Sequence, residues 1–138
     1  MEQEKTVHGA KIIARDIPIS WKQSVEICRF IRKCSLDKAQ ARLQKVIRKE
    51  IPVPYTRYVQ SIPHRRGNIA TGRYPIKAAT AIFKILKSLE ANAEFKNLNT
   101  KNLMITRIMP NKAANQPHYG RKRRSMRSTH LEIHVAEK

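Results

Sequence analysis

His130 and His134 bracket Leu131, Glu132 and Ile133, and two imidazoles near a carboxylate are the side chains that hold a divalent metal. The spacing argues against that use. The helical zinc-protease motif places Glu directly after the first His, whereas Glu132 sits midway between the two. On a strand, His130 and His134 stand about 13 Å apart at the usual rise, too far to share one ion, so solvated or partner-facing strand positions suit them better. Cys28 and Cys34 lack CxxC spacing and have no paired His nearby in sequence. Cys28 falls on an apolar helical stripe, so core packing is the better reading. The sequence carries no Gly-rich phosphate loop, no GxSxG elbow and no isolated Cys–His nucleophile pattern. Its ten acids are scattered. We expect no enzyme, no metal and no cofactor.

The chemistry that remains is cationic. Of 138 residues, 29 are Lys or Arg and 10 are Asp or Glu, a net charge of +19. A compact domain with that charge repels itself unless a polyanion neutralises it. The second part of the chain is the more basic, with 17 cations and 4 acids over 51–138 against 12 and 6 over 1–50. From 107 to 127 there are seven cations and no acid: Arg107, Lys112, Arg121, Lys122, Arg123, Arg124 and Arg127. Ordinary surfaces intersperse both signs, so this run points to a phosphate-rich partner. No apolar run approaches the roughly 18–20 residues of a membrane span. The N-terminal MEQEKTVHG has no apolar h-region, which argues against a signal or transit peptide. Two cysteines are too few for a disulfide scaffold. The expectation is a soluble, cytoplasmic protein.

A second cationic segment lies at 51–74, punctuated by Pro52, Pro54, Pro63, Gly67 and Gly72. It interleaves Arg57, Arg65, Arg66 and Arg73 with Tyr55, Tyr58, His64 and Tyr74. That mixture suits RNA, whose bases stack on rings and guanidinium planes. Arg65 and Arg66 read as phosphate contacts. Tyr55 and Tyr58 either stack on bases or pack the loop on the core, and the sequence leaves both open. Lys22, Lys77 and His130 complete the set expected to touch RNA.

The elements that must position these residues follow from periodicity. Residues 10–19 read as a short strand ended by Pro18, with Ala10, Ile12 and Ala14 on one face. Ser20 is the expected N-cap of a first helix, with Gln23 at the capping-box position. Trp21, Val25, Cys28 and Ile31 form its buried stripe. A second helix starts at Ser35, presents Leu36, Ala39, Leu43, Val46 and Ile47, and stops before Pro52. The short link predicts that these two helices pack as a hairpin. The segment 51–74 reads as a long loop. Pro75 opens a third helix running to about Glu94, with Ala78, Ala79, Ile82, Phe83, Ile85, Leu86, Leu89 and Ala93 on a broad apolar face. In 103–109 the apolar residues fall on both faces of a strand, and in 129–135 Leu131, Ile133 and Val135 share one face. Residues 110–128 hold almost no core-forming side chain, so we expect an arm that orders against its partner.

SLDKAQARLQKVIRKEIPVPY (35–55), GRYPIKAATAIFKILKSLEANAEFKNLN (72–99) and THLEIHV (129–135) resemble, in order and spacing, the universal large-subunit ribosomal protein L-twenty-two family, whose eukaryotic counterpart is numbered seventeen. The loop with HRRG resembles the archaeal and eukaryotic branch. The resemblance implies an α+β fold, with three helices packed on a small antiparallel sheet and a long protruding β-hairpin. It implies one ribosomal-protein domain over 1–138, an RNA-binding loop at 51–74 and a hairpin arm at about 104–134. The implied role is structural: binding large-subunit ribosomal RNA and lining the polypeptide exit tunnel with the hairpin. The tip matches Asn115, Gln116, Pro117, His118 and Tyr119. The implied partners are that RNA, neighbouring large-subunit proteins and, transiently, the nascent polypeptide, with no membrane and no homo-oligomer. The tip, NKAANQPHYGRKRRSMRS, departs from the longer PRAxGR-like run usual in this branch.

Rival readings are a DNA-binding or chromatin-like basic protein and an RNA-processing enzyme. A DNA reader should place basic and amide side chains on an exposed recognition helix. Here the densest charge lies in the loop and the arm. A processing enzyme needs a catalytic constellation, which the sequence does not display.

Overall fold

The computed structural model describes residues 9–121 and 123–138. Lys122 lies outside the described residues. A three-stranded antiparallel sheet forms the base, in the order β1 (Gly9–Ile17), β7 (Thr129–Glu137), β4 (Leu103–Lys112). Ala10 faces Val135, Ile12 faces Ile133 and Ala14 faces Leu131, so the period-two pattern puts one apolar row under the helices. Three helices cover that row: α1 (Trp21–Ile31), α2 (Leu36–Ile47) and α3 (Ile76–Phe95). α3 packs on β1 and on α2, and α1 packs on β4. Ile27, Leu43, Ile82, Leu86, Leu103, Ile108 and Ile133 are among the fully buried side chains at the centre. Each such side chain stabilises the fold by roughly 1.5–3 kcal/mol relative to exposure. The architecture is α+β, as the resemblance implied.

Four local expectations are corrected. β4 does not keep strict alternation: Ile108 joins Leu103 and Ile105 on the core face, while Met104 and Met109 lie half-buried on the other. A bulge at Thr106 shifts the register, so that Ile105 opposes Val135, Arg107 opposes His134 and Ile108 opposes Ile133. The extra residue returns Ile108 to the core face beside Leu103 and Ile105. The buried face of α1 is Ser24, Ile27, Cys28 and Ile31 together with Glu26, while Trp21 and Val25 are half-buried. The capping box is not formed, because the Ser20 side chain makes no cap bond. α2 packs chiefly on α3 rather than pairing with α1. The link between them is stitched to β4 instead: the Ile105 N–H donates to the Cys34 carbonyl at 3.0 Å, and Ser35 bridges to Met104.

The segment 51–74 is a long loop, closed at its base. β2 (Val53–Pro54) pairs with β3 (Gly72–Arg73), and the Tyr55 N–H donates to the Thr71 carbonyl at 3.0 Å. Gly72 permits this approach, since a Cβ there would lie 3.2 Å from both Val53 O and Pro52 Cβ. Beyond the sheet, β4 and β7 continue as a second short ladder, β5 (Gln116–Pro117) with β6 (Ser125–Met126).

Candidate nucleic-acid interface

The root of the hairpin is fastened to the start of α1. The Trp21 indole N–H donates to the Pro110 carbonyl at 2.9 Å, and the Thr129 hydroxyl donates to the Ile19 carbonyl at 3.0 Å. The Ser128 hydroxyl reaches Asp16 Oδ1 at 3.3 Å, and Arg127 Nη1 reaches Ser20 Oγ at 3.5 Å. These bonds bring the basic strand 124–127 to the same place as the first turn of α1.

Two hollows flank that turn, and Ser20, Gln23 and Arg127 line both. One, of about 420 Å³, is completed by Lys22, Tyr55, Arg57, Tyr58 and Arg73. The other, of about 500 Å³, is completed by Lys77 and Ala78 from the start of α3 and by His118, Arg124 and Met126 from the hairpin. No acidic residue lines either hollow among the described residues. The first turns of α1 and α3 also carry no acid. Helix N-termini present a partial positive charge and free N–H groups. Six cations from four segments therefore share one surface with two positive helix ends, an arrangement made for anions.

Glu26, unremarked in the sequence, organises the rim. Its buried carboxylate accepts the N–H groups of Arg57 at 2.8 Å, Tyr58 at 2.9 Å and Thr56 at 3.2 Å. The available signal was an acid on the inner side of an otherwise basic helix. Tyr58 is half-buried, with Trp21 edge-on at 5.7 Å, Lys22 Nζ 5.5 Å from its centroid and the Arg57 guanidinium at 5.9 Å. Tyr55 is buried at 5 % exposure. Burial, against the pull of Arg73 and with Glu26 adding to it, pushes its hydroxyl up to about 12.

The other expected contacts lie elsewhere. Arg65 donates to the Gly72 carbonyl at 3.1 Å and stacks over Tyr74 at 5.2 Å, so it braces the excursion. Arg66 is exposed at its far end. Arg107 lies on the open face of the sheet, and its Nε donates to Met109 Sδ at 3.2 Å. Lys112, Arg121 and Arg123 are exposed along the hairpin. His130 is half-buried and engaged, its Nδ1 accepting the Asp16 N–H at 3.0 Å across a bulge in β1. His134 contacts Glu132 at 2.7 Å, and this hydrogen bond holds the Glu132 carboxyl below its ordinary value. At the tip Asn115, Gln116 and Pro117 are exposed and Tyr119 is 89 % exposed, whereas His118 turns inward to the groove.

The sequence of this fold matches the family model described as ribosomal protein L22p/L17e over residues 12–135. The chain belongs to the L22p/L17e family. It is 43% identical to the large ribosomal subunit protein uL22 of Ignicoccus hospitalis, over 97% of this chain and 89% of that protein. It is 46% identical to the uL22 of Methanocaldococcus jannaschii, over 79% of this chain and 69% of that protein. The uL22 of Thermoplasma acidophilum is 46% identical over 75% of this chain and 68% of that protein. These L22p/L17e relatives are archaeal, in keeping with the branch the HRRG loop suggested. The matched span takes in the 51–74 excursion, all of β4, β7 as far as Val135, and every residue of the two hollows.

Proposed function

We propose that this chain is a structural constituent of the large ribosomal subunit, located there, that binds the subunit's RNA. The observation that carries this reading is the acid-free groove in which Lys22, Arg57, Arg73, Lys77, Arg124 and Arg127 meet two helix N-termini in a member of the L22p/L17e family. Relatives of this chain are named as large ribosomal subunit proteins. Phosphate contacts position a protein on RNA, and clustered cations release counterions when they neutralise phosphates. The excursion 51–74, with Arg65 and Arg66, supplies one contact region. The hairpin supplies another through Arg107, Lys112, Arg121, Lys122, Arg123 and His130.

The exit-tunnel role falls to Asn115, Gln116, Pro117, His118 and Tyr119. A wall that passes every nascent sequence should not hold peptides tightly, so neutral polar side chains suit it. The cations of the same hairpin suit its RNA-buried flanks. Neighbouring ribosomal proteins and the emerging polypeptide are the further partners, in a single-copy role without catalysis.

Sedimentation tests the RNA reading: the tagged chain should remain with the large subunit through a high-salt wash. Release into the supernatant with the subunit intact would contradict it. Photo-crosslinkers at positions 116 and 123 test the tunnel assignment, with nascent-chain adducts expected from 116. Adducts from 123 but not 116 would overturn it.

A further inference from the structure

We propose that the hollow beside the first turn of α1 seats one phosphodiester of the RNA, with the Tyr55 hydroxyl as its innermost donor. This inference rests on the RNA-binding role above and names the subsite within it.

Tyr55 carries the argument. The residue is 5 % exposed, and its hydroxyl is a buried side-chain polar atom with no hydrogen-bond partner among the described residues. Buried polar groups are nearly always paired, so a lone donor on a residue that lines a cationic hollow points to an acceptor that reaches it when the ring shifts toward the hollow. Its neighbours have the matching character. The hollow opens on the N-terminal turn of α1, an eleven-residue helix with no side-chain cap and no acid in its first turn. Lys22, Arg57, Arg73 and Arg127 stand around it. Arg73 donates one bond to the Ser61 carbonyl at 3.1 Å, and Arg127 one to Ser20 Oγ at 3.5 Å, which leaves each guanidinium further donors. The neighbouring acid, Glu26, has its carboxylate occupied by three backbone N–H groups. The raised hydroxyl of Tyr55 stays protonated, hence a donor, at any ordinary pH. A volume of about 420 Å³ admits a phosphate with its flanking ribose. The ligand chemistry is a phosphate oxygen anion, whose sources are an RNA backbone or free phosphate.

The test uses the intact chain and Tyr55→Phe. Trp21, the single tryptophan, starts α1 and touches Tyr58 at the rim, so its emission reports on the hollow. Each protein is titrated with inorganic phosphate replacing chloride at constant ionic strength, and separately with purified large-subunit ribosomal RNA. In the wild type the emission change should saturate with phosphate. Tyr55→Phe should weaken phosphate and RNA binding by about tenfold, while the free variant melts at or above the wild-type temperature, because an unpaired hydroxyl has been removed. Unchanged binding of both probes by the variant overturns the seat and leaves the RNA role intact. A lower melting temperature of the free variant also overturns it, since the hydroxyl would then have a partner in the fold. Weakened phosphate binding with unchanged RNA binding overturns the RNA occupant in favour of a free anion. Failure of the wild type to bind RNA, with phosphate still saturating, overturns the RNA role and the RNA occupant together.

Discussion

The carboxylate of Glu26 accepts the backbone N–H of Arg57 at 2.8 Å, tying the middle of α1 to a bend thirty-one positions further along the chain. Two more N–H bonds, from Tyr58 and Thr56, make Glu26 the acid that holds a basic rim in place. A buried carboxylate of this kind is costly to desolvate and stable only while its donors remain.

Replacing Glu26 with Gln keeps the volume but offers an NH₂ where donors now converge. Glu26→Gln should destabilise the fold by about 2 kcal/mol, read as a lower urea midpoint with an unchanged slope. A change within about 0.5 kcal/mol, the range of ordinary surface substitutions, would show that the three bonds have no net weight.

Arg124 and Arg127 lie on the hairpin yet line the groove at the start of α1. Their joint replacement by Ala should weaken RNA binding and reduce the slope of log affinity against log salt by about 2. The melting temperature should stay near wild type, because both side chains are exposed. An unaltered slope removes them from the contact set.

The two cysteines should differ sharply in reactivity. Cys28 is 3 % exposed, and desolvation lifts its thiol to about 12. Cys34 is half-buried, and its sulfur receives a bond from Arg42 Nη1 at 3.0 Å. Thiolates are the reactive form. Iodoacetamide at pH 8 should label Cys34 and spare Cys28 until denaturant is added, as peptide mass mapping would reveal. Equal labelling in the native state would refute the burial of Cys28.

Acid should loosen the open face of the sheet. The hydrogen bond to His134, assisted by the charges of His134, Arg107 and Lys11, holds the Glu132 carboxyl below its ordinary 4.5. The native state therefore favours the ionised form. That stabilisation is present above pH 4.5 and is lost as pH falls through the lower folded value. Glu132→Gln should be less stable than wild type near neutrality, with the gap closing in acid. Parallel stability curves from neutral pH into that range would exclude the linkage.

The sequence by itself determined the helices, the apolar rows of β1 and β7, the family and the cationic character. These signals are local: periods of 3.6 and 2, turn residues, and charge counts that survive without any tertiary contact. It placed Leu36, Leu43, Ile82 and Leu89 correctly in the core, and each is fully buried. It also named all six cations that the groove gathers.

Tertiary structure decided where those cations meet. Arg127 reaches Ser20 across 107 positions, and Trp21 reaches Pro110 across 89, through bonds that no spacing rule encodes. The partner of α2 was likewise settled by packing: α3 offers it a longer apolar face, while its link to α1 is held on β4. The face of Ile108 depended on one bulged residue, Thr106, which inverts the alternation after it. Tyr55, open between stacking and packing in the sequence, became a buried ring with an unpartnered hydroxyl only when β2 and β3 closed over it. Burial is a property of the whole fold, and the chemistry of Glu26 and Tyr55 follows from burial.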